Sequence, residues 1–489
     1  MLSVPLLLKL DPLFPYSLIP LSVPNTTSTI YHSPSLNTIT QKKKKKKKKK
    51  NLKPKMNTSP PSTNSPQTPS HLPLALQTYM ETTLNHARKT SYAVATLPHH
   101  TRNKVLLTIA AEIHNQKSML LNANAKDIAA AKENNLAEAL IDRLLLTEKR
   151  LTDLAKSVIN ITHLQDPIGE IIEGKTLQNG LKLLKKRVPL GVVMVIYESR
   201  PNVTIDIASL CIKSGNVAIL RGGKEAFHSN KAFHKVIAAA LANHNVSEHA
   251  VHVIAHTDRL LVKHLLKQKQ AIDIVIPRGG EALVNMVADQ SRIPVIYHDK
   301  GLCHLYVAAD ADIETAIALT LNSKVQRTGV CNAIETLLIH KDFPAIDKVI
   351  AALQRENVAL RGDKTLTERF SNIDLAQEAD WSTEYLDLIL SVKLVSSTTE
   401  AIDWINTYSS HHTDSIVTTD LALAQQFEAE VDSACVFINA STRFSDGGCF
   451  DMGSEVGVSN QKLHVRGPMG IRDLTSYKYI AYGSGHIRT

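Results

Sequence analysis

The chain has few cysteines for its 489 residues, and no two of them form a Cys-x-x-Cys pair. The five are Cys211, Cys303, Cys331, Cys435 and Cys449. An odd number of isolated thiols argues against a disulfide framework or a zinc ribbon, and reduced thiols are typical of the cytoplasm, where we expect the protein. The 21 histidines are scattered along the sequence, so we expect no metal site.

The chain also lacks an excess of positive charge outside its first 55 residues. The formal net charge is +10, but residues 1–55 carry 12 of the 56 basic residues, mainly in the lysine run 42–50, and only one of the 46 acidic residues. The remaining 44 basic and 45 acidic residues give a net charge of −1, which argues against nucleic-acid binding. A nucleic-acid-binding or surface-binding protein that uses the lysine run is the alternative.

Residues 1–73 are expected to form a disordered leader. They have neither the basic start of a signal peptide nor the arginines of a mitochondrial transit peptide. We hypothesise that Met56 is the natural start, because an A-rich upstream tract would encode the lysine run. A basic address or membrane-surface tail is the alternative. No apolar run in the chain reaches the length of a membrane span, so we expect no membrane association.

The hydrophobic pattern changes its period along the chain. Residues 74–161 read as helical, and two strand-like runs in 169–188 flank Asn179-Gly180, a dipeptide typical of two-residue hairpin turns in which both residues have positive φ. Afterwards, strand patterns alternate with helical ones, which indicates βαβ units and parallel sheets in two α/β lobes. The predicted strands are 192–197, 216–220, 251–254, 272–276, 336–339, 388–394, 415–418 and 434–439.

Cys331 is the predicted nucleophile. It lies in residues 326–336, among polar, small and cationic neighbours, near the junction of the two lobes. We expect Gly329 to let the backbone bend close to the sulfur, and Arg327 with nearby backbone N–H groups to favour the thiolate. The thiolate is the reactive form, so this pattern predicts covalent catalysis. A buried cysteine that acts as a small apolar side chain is the alternative.

Two glycine pairs follow predicted strands and precede predicted helices. They occur in Arg221-Gly222-Gly223 and Arg278-Gly279-Gly280. Exposed backbone N–H groups at a helix start attract anions, and arginine binds phosphate, so two such loops favour a phosphate-bearing cofactor. No Gly-x-Gly-x-x-Gly fingerprint occurs. Arg221 and Lys224 would suit a 2′-phosphate, which favours NADP. Ordinary turns are the alternative for each loop.

Several longer motifs in a fixed order carry a family resemblance. They include Tyr-Glu-Ser-Arg-Pro-Asn-Val-Thr at 197–204, Lys-Ser-Gly-Asn at 213–216, the two glycine loops, the Cys331 loop, the segment 439–448, and Arg-Gly-Pro-Met-Gly at 466–470. From residue 74 to its end, the chain resembles the gamma-glutamyl phosphate reductases, a branch of the aldehyde dehydrogenase superfamily. The resemblance implies an α/β, aldehyde-dehydrogenase-like fold: two parallel-sheet α/β lobes plus a small β-hairpin oligomerisation arm.

The resemblance also implies a domain organisation. Residues 74–168 and 187–325 would form the cofactor-binding domain, and 326–465 the catalytic domain. The oligomerisation arm would comprise 169–186 and 466–489. We therefore expect a homo-oligomer, and association with glutamate 5-kinase is a further expectation for this family.

The implied reaction is the NADPH-dependent reduction of L-glutamyl 5-phosphate to L-glutamate 5-semialdehyde and phosphate, in proline biosynthesis, through a thioester on Cys331. Asn202 is similar to the superfamily's side-chain oxyanion donor, which acts with the Cys331 backbone N–H. Glu384 is similar to the glutamate that holds the nicotinamide-side ribose. The alternatives are a turn residue for Asn202 and an ordinary surface acid for Glu384.

Hydrolysing aldehyde dehydrogenases carry a glutamate base ahead of the cysteine, and the comparable residues 297–304 contain none. This favours attack by phosphate, which is already anionic near neutral pH, although Asp299 is an alternative base. A hydrolysing NAD(P)-dependent aldehyde dehydrogenase for another small aldehyde is the second interpretation. Three residues depart from the family pattern: Thr328 where proline is frequent, and Cys449 and Asp451 after the glycine pair 447–448.

Overall fold

The structure is a computed structural model that describes residues 71–297 and 300–488. The predicted leader therefore lies outside the described residues up to position 70, as do His298 and Asp299. The helices are α1 (Leu74–Val94), α2 (His99–Asn115), α3 (Lys117–Glu133), α4 (Glu138–Leu144), α5 (Glu148–His163), α6 (Asn202–Lys213), α7 (Phe227–Ala242), α8 (Arg259–Leu265), α9 (Glu281–Gln290), α10 (Ile313–Val325), α11 (Ile346–Arg355), α12 (Lys364–Arg369), α13 (Thr398–Tyr408) and α14 (Leu421–Glu430).

The strands confirm each predicted strand to within two residues at either end. They are β1 (Ile171–Thr176), β2 (Lys182–Pro189), β3 (Val192–Tyr197), β4 (Val217–Arg221), β5 (Val251–Val253), β6 (Ile274–Arg278), β7 (Cys303–Val307), β8 (Ile334–His340), β9 (Ala359–Gly362), β10 (Asp374–Leu375), β11 (Ile389–Val395), β12 (Thr413–Val417), β13 (Cys435–Ile438), β14 (Val458–Ser459), β15 (Gly467–Pro468) and β16 (Thr475–Tyr482).

The first parallel sheet has the order β5-β4-β3-β6. Every residue of β3 is buried, and its uninterrupted apolar sequence is typical of a strand covered by helices on both faces. The same hydrophobic cluster includes residues of α1, α2, α5, α6 and α7. This helical cover holds the sheet rigid, so the loops at its carboxyl edge have fixed starting points.

The second parallel sheet has the order β10-β9-β11-β8-β7-β12-β13. Its two faces belong to different clusters, since Leu305 and Val307 of β7 pack with α10 and α11, whereas Tyr306 packs with α13 and α14. Two parallel-sheet lobes are therefore confirmed. The predicted boundary between the two domains, at 326, is wrong because it places β7 in the cofactor-binding domain. Strand β7 instead pairs with β8 and β12 of this second sheet. The boundary was drawn from the family resemblance along the sequence, whereas membership of a sheet is decided by pairing between strands that are distant in sequence.

The arm is a three-stranded antiparallel sheet in the order β1-β2-β16. The hairpin is confirmed, but its two-residue turn is wrong. Gly180 alone has positive φ (86°), the Gly180 N–H bonds the Leu177 carbonyl at 2.9 Å, and the Leu177 N–H bonds the Leu181 carbonyl at 2.8 Å. This is a three-residue loop with a left-handed glycine. The predicted arm segment from 466 also begins too early, because β15 pairs with β14 and only β16 joins the arm.

Candidate active site

The predicted site residues lie at two sheet edges. Asn202 opens α6 after β3, while Arg221 and Arg278 end β4 and β6. The carboxyl ends of parallel strands share one edge, so these residues lie on the same side of the first sheet. Cys331 and Glu384 precede β8 and β11, at the amino edge of the second sheet. Charge interactions between the lobes, described below, link the two edges.

The Cys331 backbone packs directly against Gly301. A Cβ built on Gly301 would lie 2.0 Å from the Cys331 carbonyl oxygen and 2.4 Å from its Cα. By contrast, a Cβ on Gly329 would find its nearest atom, the Leu386 carbonyl oxygen, at 4.0 Å, and Gly329 does not adopt positive φ. The expectation for Gly329 is therefore wrong. The glycine that lets another chain segment approach the nucleophile is Gly301, which is 30 positions away in sequence.

The residue after the nucleophile ties its loop to the segment 441–445. The Asn332 side-chain amide donates to the Ser445 carbonyl at 2.9 Å, and the Thr442 hydroxyl donates to the Asn332 carbonyl at 2.7 Å. The half-buried Cys331 accepts a further hydrogen bond at its own carbonyl, from the Cys303 thiol at 3.1 Å. These three bonds fix the backbone at Cys331 and at the residue that follows it.

Arginines lie near enough to Cys331 to interact with its charge, and two of them, Arg200 and Arg443, were not among the predicted site residues. Burial lowers the pKa of Arg200, the charges of other arginines lower it further, and Cys331 raises it. Burial also lowers the pKa of Arg443, with a further decrease from Arg327 and an opposing effect of Cys331. Arg327 thus lies among these groups, as its position in sequence predicts. Both new arginines stand in motifs that carry the family resemblance, which was the available signal.

Asn202 is held by its own helix. Its side-chain nitrogen donates to Asp206 Oδ2 at 2.8 Å, one turn further along α6. Burial raises the pKa of Asp206 to about 6, and the hydrogen bond from Asn202 opposes that rise. An amide nitrogen carries two hydrogens, so one N–H of Asn202 remains for a second acceptor. This leaves the donor that an oxyanion site requires.

Glu384 is connected to the nucleophile through Gly301. Its Oε1 accepts the Gly301 N–H at 2.9 Å, so the glycine that contacts Cys331 also positions this carboxylate. Burial raises the pKa of Glu384, and the bond from Gly301 opposes the rise. The charge of Glu281, at the start of α9 in the other lobe, also acts on Glu384. The half-buried carboxylate is therefore not an ordinary surface acid.

The first glycine loop borders open space. Gly222 and Gly223 line a cavity of about 490 Å³ between α1, α7 and the residues after β5. An adjoining cavity of about 690 Å³ is lined by Lys224, and the Arg221 guanidinium donates to the Thr257 carbonyl at 3.1 Å. The two cavities lie at the carboxyl edge of the sheet, where dinucleotides bind in doubly wound folds. A phosphate-bearing cofactor fits this combination of space, glycine and cations.

The second glycine loop already holds an anionic side chain. Glu198 Oε2 accepts the Gly280 N–H at 3.0 Å, at the start of α9, where a carboxylate is favoured by the helix dipole. Arg278 points to Glu455, with an Nη1–Oε1 distance of 3.9 Å. Sequence reasoning found the loop and missed Glu198, although this residue belongs to the 197–204 motif. An anionic ligand at this helix start would replace the Glu198 carboxylate.

A buried ion pair supports the loop that carries Glu384. Lys324 Nζ lies 2.6 Å from Glu335 Oε2, and both side chains are fully buried. Glu335 Oε1 accepts the Leu386 N–H at 3.1 Å. Burial raises the pKa of Glu335 and lowers that of Lys324, and each charge opposes the shift of its partner. Neither residue was predicted, because a charged pair of this kind is not visible in the local sequence pattern.

We predict that Lys324→Met lowers the free energy of unfolding by about 3–5 kcal/mol, because it leaves the Glu335 carboxylate buried without its cation. Urea unfolding monitored by tryptophan fluorescence measures the change. The double variant Lys324→Met/Glu335→Leu should recover most of the loss, whereas Lys348→Met, at an exposed position of α11, should change little. A loss below about 1 kcal/mol for the single variant would contradict the role given to this pair.

Comparison with known proteins agrees with this geometry. The sequence matches the aldehyde dehydrogenase family over residues 49–372. It is 47% identical over 412 residues to the gamma-glutamyl phosphate reductase of Nautilia profundicola, covering 84% of this chain and 100% of that protein. It is 48% identical over 410 residues to that of Leptospira interrogans, covering 84% and 99%. The chain belongs to the gamma-glutamyl phosphate reductase family.

Solved structures confirm the aldehyde-dehydrogenase-like fold. The gamma-glutamyl phosphate reductase of Thermotoga maritima has a TM-score of 0.82 and 38% identity, and the match covers 84% of this chain and 100% of that one. The glyceraldehyde-3-phosphate dehydrogenase GapN of Methanocaldococcus jannaschii, solved with NADP, has a TM-score of 0.59 at 16% identity, which shows the shared fold alone. Membership of the gamma-glutamyl phosphate reductase family implies an oxidoreductase with a nicotinamide cofactor and a small-molecule substrate.

The described part of the chain has neither a cluster of metal ligands nor a helix suited to span a membrane. Across 71–297 and 300–488, no group of three or more potential metal ligands lies together. Within the same ranges, no helix has both the length and the apolar content to cross a membrane.

Proposed function

We propose that this chain catalyses the NADPH-dependent reduction of L-glutamyl 5-phosphate to L-glutamate 5-semialdehyde and phosphate, in proline biosynthesis. The observation that carries the proposal is the half-buried Cys331 thiol, fixed against Gly301, with the arginines 200 and 443 as its electrostatic neighbours. An acyl phosphate is an electrophile that carries its own negative charge. A nucleophile with guanidinium groups nearby is suited to it, because these cations bind the negatively charged phosphoryl group of the substrate.

Cys331 would begin the reaction by nucleophilic attack. Its thiolate forms a bond to C5 of the substrate, and the C5–O bond to the phosphoryl group breaks, with the electron pair leaving on phosphate. The departing phosphate takes up one proton, and the acyl group remains on sulfur as a thioester. Asn202, with one amide hydrogen not used by Asp206, and the Cys331 backbone N–H would donate to the carbonyl oxygen as charge develops there.

The cofactor residues are proposed from the cavities at the carboxyl edge of the first sheet. Gly222 and Gly223 would approach the adenosine half, and Arg221 with Lys224 would favour a 2′-phosphate. The loop 278–280 would bind phosphate at the start of α9 once Glu198 is displaced. Glu384 would hold the nicotinamide-side ribose. When bound, NADPH supplies the hydride that converts the thioester to the aldehyde and frees the thiolate.

The reverse reaction tests the proposal. Oxidation of the semialdehyde should require phosphate and prefer NADP⁺ to NAD⁺, with NADPH formation followed by absorbance. Without phosphate, only a burst of about one NADPH per active thiol should appear, because the thioester has no efficient acceptor. Sustained turnover in phosphate-free buffer would instead indicate a hydrolysing aldehyde dehydrogenase. The segment 297–304 contains no glutamate that could act as the base for hydrolysis, which supports the phosphate-dependent reaction.

The arm supports a proposal about assembly. Strand β16 carries the exposed side chains of Tyr477, Tyr479 and Tyr482. Aromatic residues are enriched at protein interfaces. We propose that the arm, formed by 169–186 with the strand β16, joins copies of this chain into a homo-oligomer. Association with glutamate 5-kinase is a second proposal, because an acyl phosphate hydrolyses readily and benefits from direct transfer. The division into cofactor-binding and catalytic domains likewise stays a proposal.

A further inference from the structure

Arg200 lies between two anchored residues at the carboxyl edge of the first sheet. Its neighbour Ser199 adopts positive φ (45°), and Glu225 accepts both the Ser199 N–H at 2.6 Å and its hydroxyl at 3.0 Å. Two positions after Arg200, Asn202 begins α6 and is bonded to Asp206. The loop is therefore held on both sides. The position of the Arg200 backbone is fixed relative to the proposed oxyanion donor.

The Arg200 guanidinium has no hydrogen-bond or ion-pair partner within residues 71–297 and 300–488. The other half-buried arginines nearby, Arg443 and Arg278, do have partners, whereas Arg143 and Arg327 are exposed to solvent. Arg443 donates from Nε to Gln326 Oε1 at 2.9 Å, and Arg278 faces Glu455 at 3.9 Å. A half-buried cation without a partner is costly, since it has lost part of its hydration and gained no compensating contact. Such a group is expected to gain its partner from a ligand.

The charges around Arg200 define that ligand. After burial, the strongest effects on its pKa come from Arg278, Arg143 and Arg327, all of which lower it. Among the strongest influences on the pKa of Arg200, Cys331 is the one that raises it. The site is thus cationic around one thiol. A ligand with two or more negative charges would satisfy several guanidinium groups at once, and it must lie close to the sulfur.

We propose that Arg200 is the phosphate-binding residue of the active site, which contacts the phosphoryl group of the acyl phosphate in the forward reaction and inorganic phosphate in the reverse. This inference rests on the proposed function. The phosphoryl oxygen is bonded to C5, the atom that Cys331 attacks, whereas three carbons separate C5 from the α-carboxylate. The anion nearest to the sulfur is therefore the phosphoryl group.

The contact has a chemical role in the first step. When the C5–O bond breaks, the electron pair moves onto the phosphoryl oxygen, and the negative charge there increases before the proton arrives. The planar guanidinium can donate two parallel hydrogen bonds to such a group. In reverse, the same contact holds phosphate beside the thioester carbonyl for attack on C5. Arg200 is then a catalytic residue for the phosphate-transfer step only and takes no part in hydride transfer.

The test separates these two steps with Arg200→Gln. In phosphate-free buffer, with semialdehyde and NADP⁺, the variant should give the same burst of NADPH per active thiol as the wild type. In steady state, its KM for inorganic phosphate should rise about 30-fold or more, the usual result of removing a charged partner from a buried pair. Arg200→Lys should raise the KM for phosphate by less, because lysine keeps the positive charge but cannot donate the two parallel hydrogen bonds of a guanidinium. Arg355→Gln, an exposed arginine on α11, serves as the matched control and should change neither quantity.

The outcomes distinguish this inference from the proposed function. An intact burst with an unchanged phosphate KM in Arg200→Gln overturns the role of Arg200 and leaves the thioester mechanism in place. An unchanged KM in that variant, together with a raised one in Arg443→Gln, assigns the phosphate to Arg443 instead. If the wild type itself gives no burst and no phosphate-dependent turnover, the proposed function fails. Circular dichroism and the burst amplitude show whether Arg200→Gln is folded.

Discussion

Replacing Cys331 by alanine is expected to lower kcat in both directions by on the order of 10⁴-fold or more, because the proposed mechanism forms the acyl intermediate on this sulfur. The other thiols near the site are poorly suited to this role. Burial raises the pKa of Cys303 well above its usual range, and its S–H already donates a hydrogen bond to the Cys331 carbonyl oxygen. Steady-state rates and mass spectrometry of protein quenched during turnover measure the effect, with an acyl adduct on the Cys331 peptide of the wild type alone.

Cys449→Ser is the matched control for this prediction. Cys449 is exposed, and its charge acts on Arg443, as that of Cys331 does. Its replacement should leave kcat within about threefold of the wild type, since it forms no bond to the substrate. An adduct on Cys449, or activity in Cys331→Ala comparable to that of the wild type, would show that the nucleophile has been misidentified.

Gly301→Ala is expected to reduce kcat/KM by about 100-fold or more while the protein stays folded. The new Cβ would lie 2.0 Å from the Cys331 carbonyl oxygen, and two backbone segments cannot both stay in place at that distance. A shift of about 1 Å in the nucleophile is enough for a loss of this size, because attack on the carbonyl depends on alignment. The bond from the Gly301 N–H to Glu384 would shift with it. Rates of Cys331 alkylation by iodoacetamide, alongside kcat/KM, report the displacement.

Gly329→Ala is the matched control, since it adds the same methyl group two residues before the nucleophile. The atom nearest to this new methyl group would be the Leu386 carbonyl oxygen, 4.0 Å away, so activity should change by less than about threefold. The reverse order, with Gly329→Ala more damaging than Gly301→Ala, would refute the packing argument. Melting temperatures of the two variants distinguish local displacement from loss of the fold.

The strands show what local sequence predicts well. The run Val192–Tyr197 is apolar at every position, and such a run is buried on both sides wherever it pairs, so its identity as a strand did not depend on its neighbours. The order of the sheets was less accessible. Strand β7 was assigned to the wrong lobe because pairing with β8 and β12 joins residues far apart in sequence. The Asn179-Gly180 signal correctly located a turn and gave the wrong turn type.

The residues of the candidate site likewise divide into those that the sequence indicates and those that it does not. Cys331, Asn202 and Glu384 could be proposed as site residues from their resemblance to residues of a known family, and the family is confirmed. The partners of these residues were not identifiable. Gly301, the buried pair Lys324–Glu335, and the carboxylate of Glu198 make contacts across loops, which no periodicity in a single sequence records.

The sequence by itself therefore determined the type of chemistry: a reactive thiol, candidate phosphate-binding loops, and the family to which they belong. Only the tertiary structure decided which residues surround the thiol, because those residues come from both sheets and meet only when the two edges face each other. Arg200 illustrates the physical reason. In the sequence it is one arginine among many, and its proposed role follows from a half-buried, cationic environment near Cys331 in which its guanidinium has no partner among the described residues.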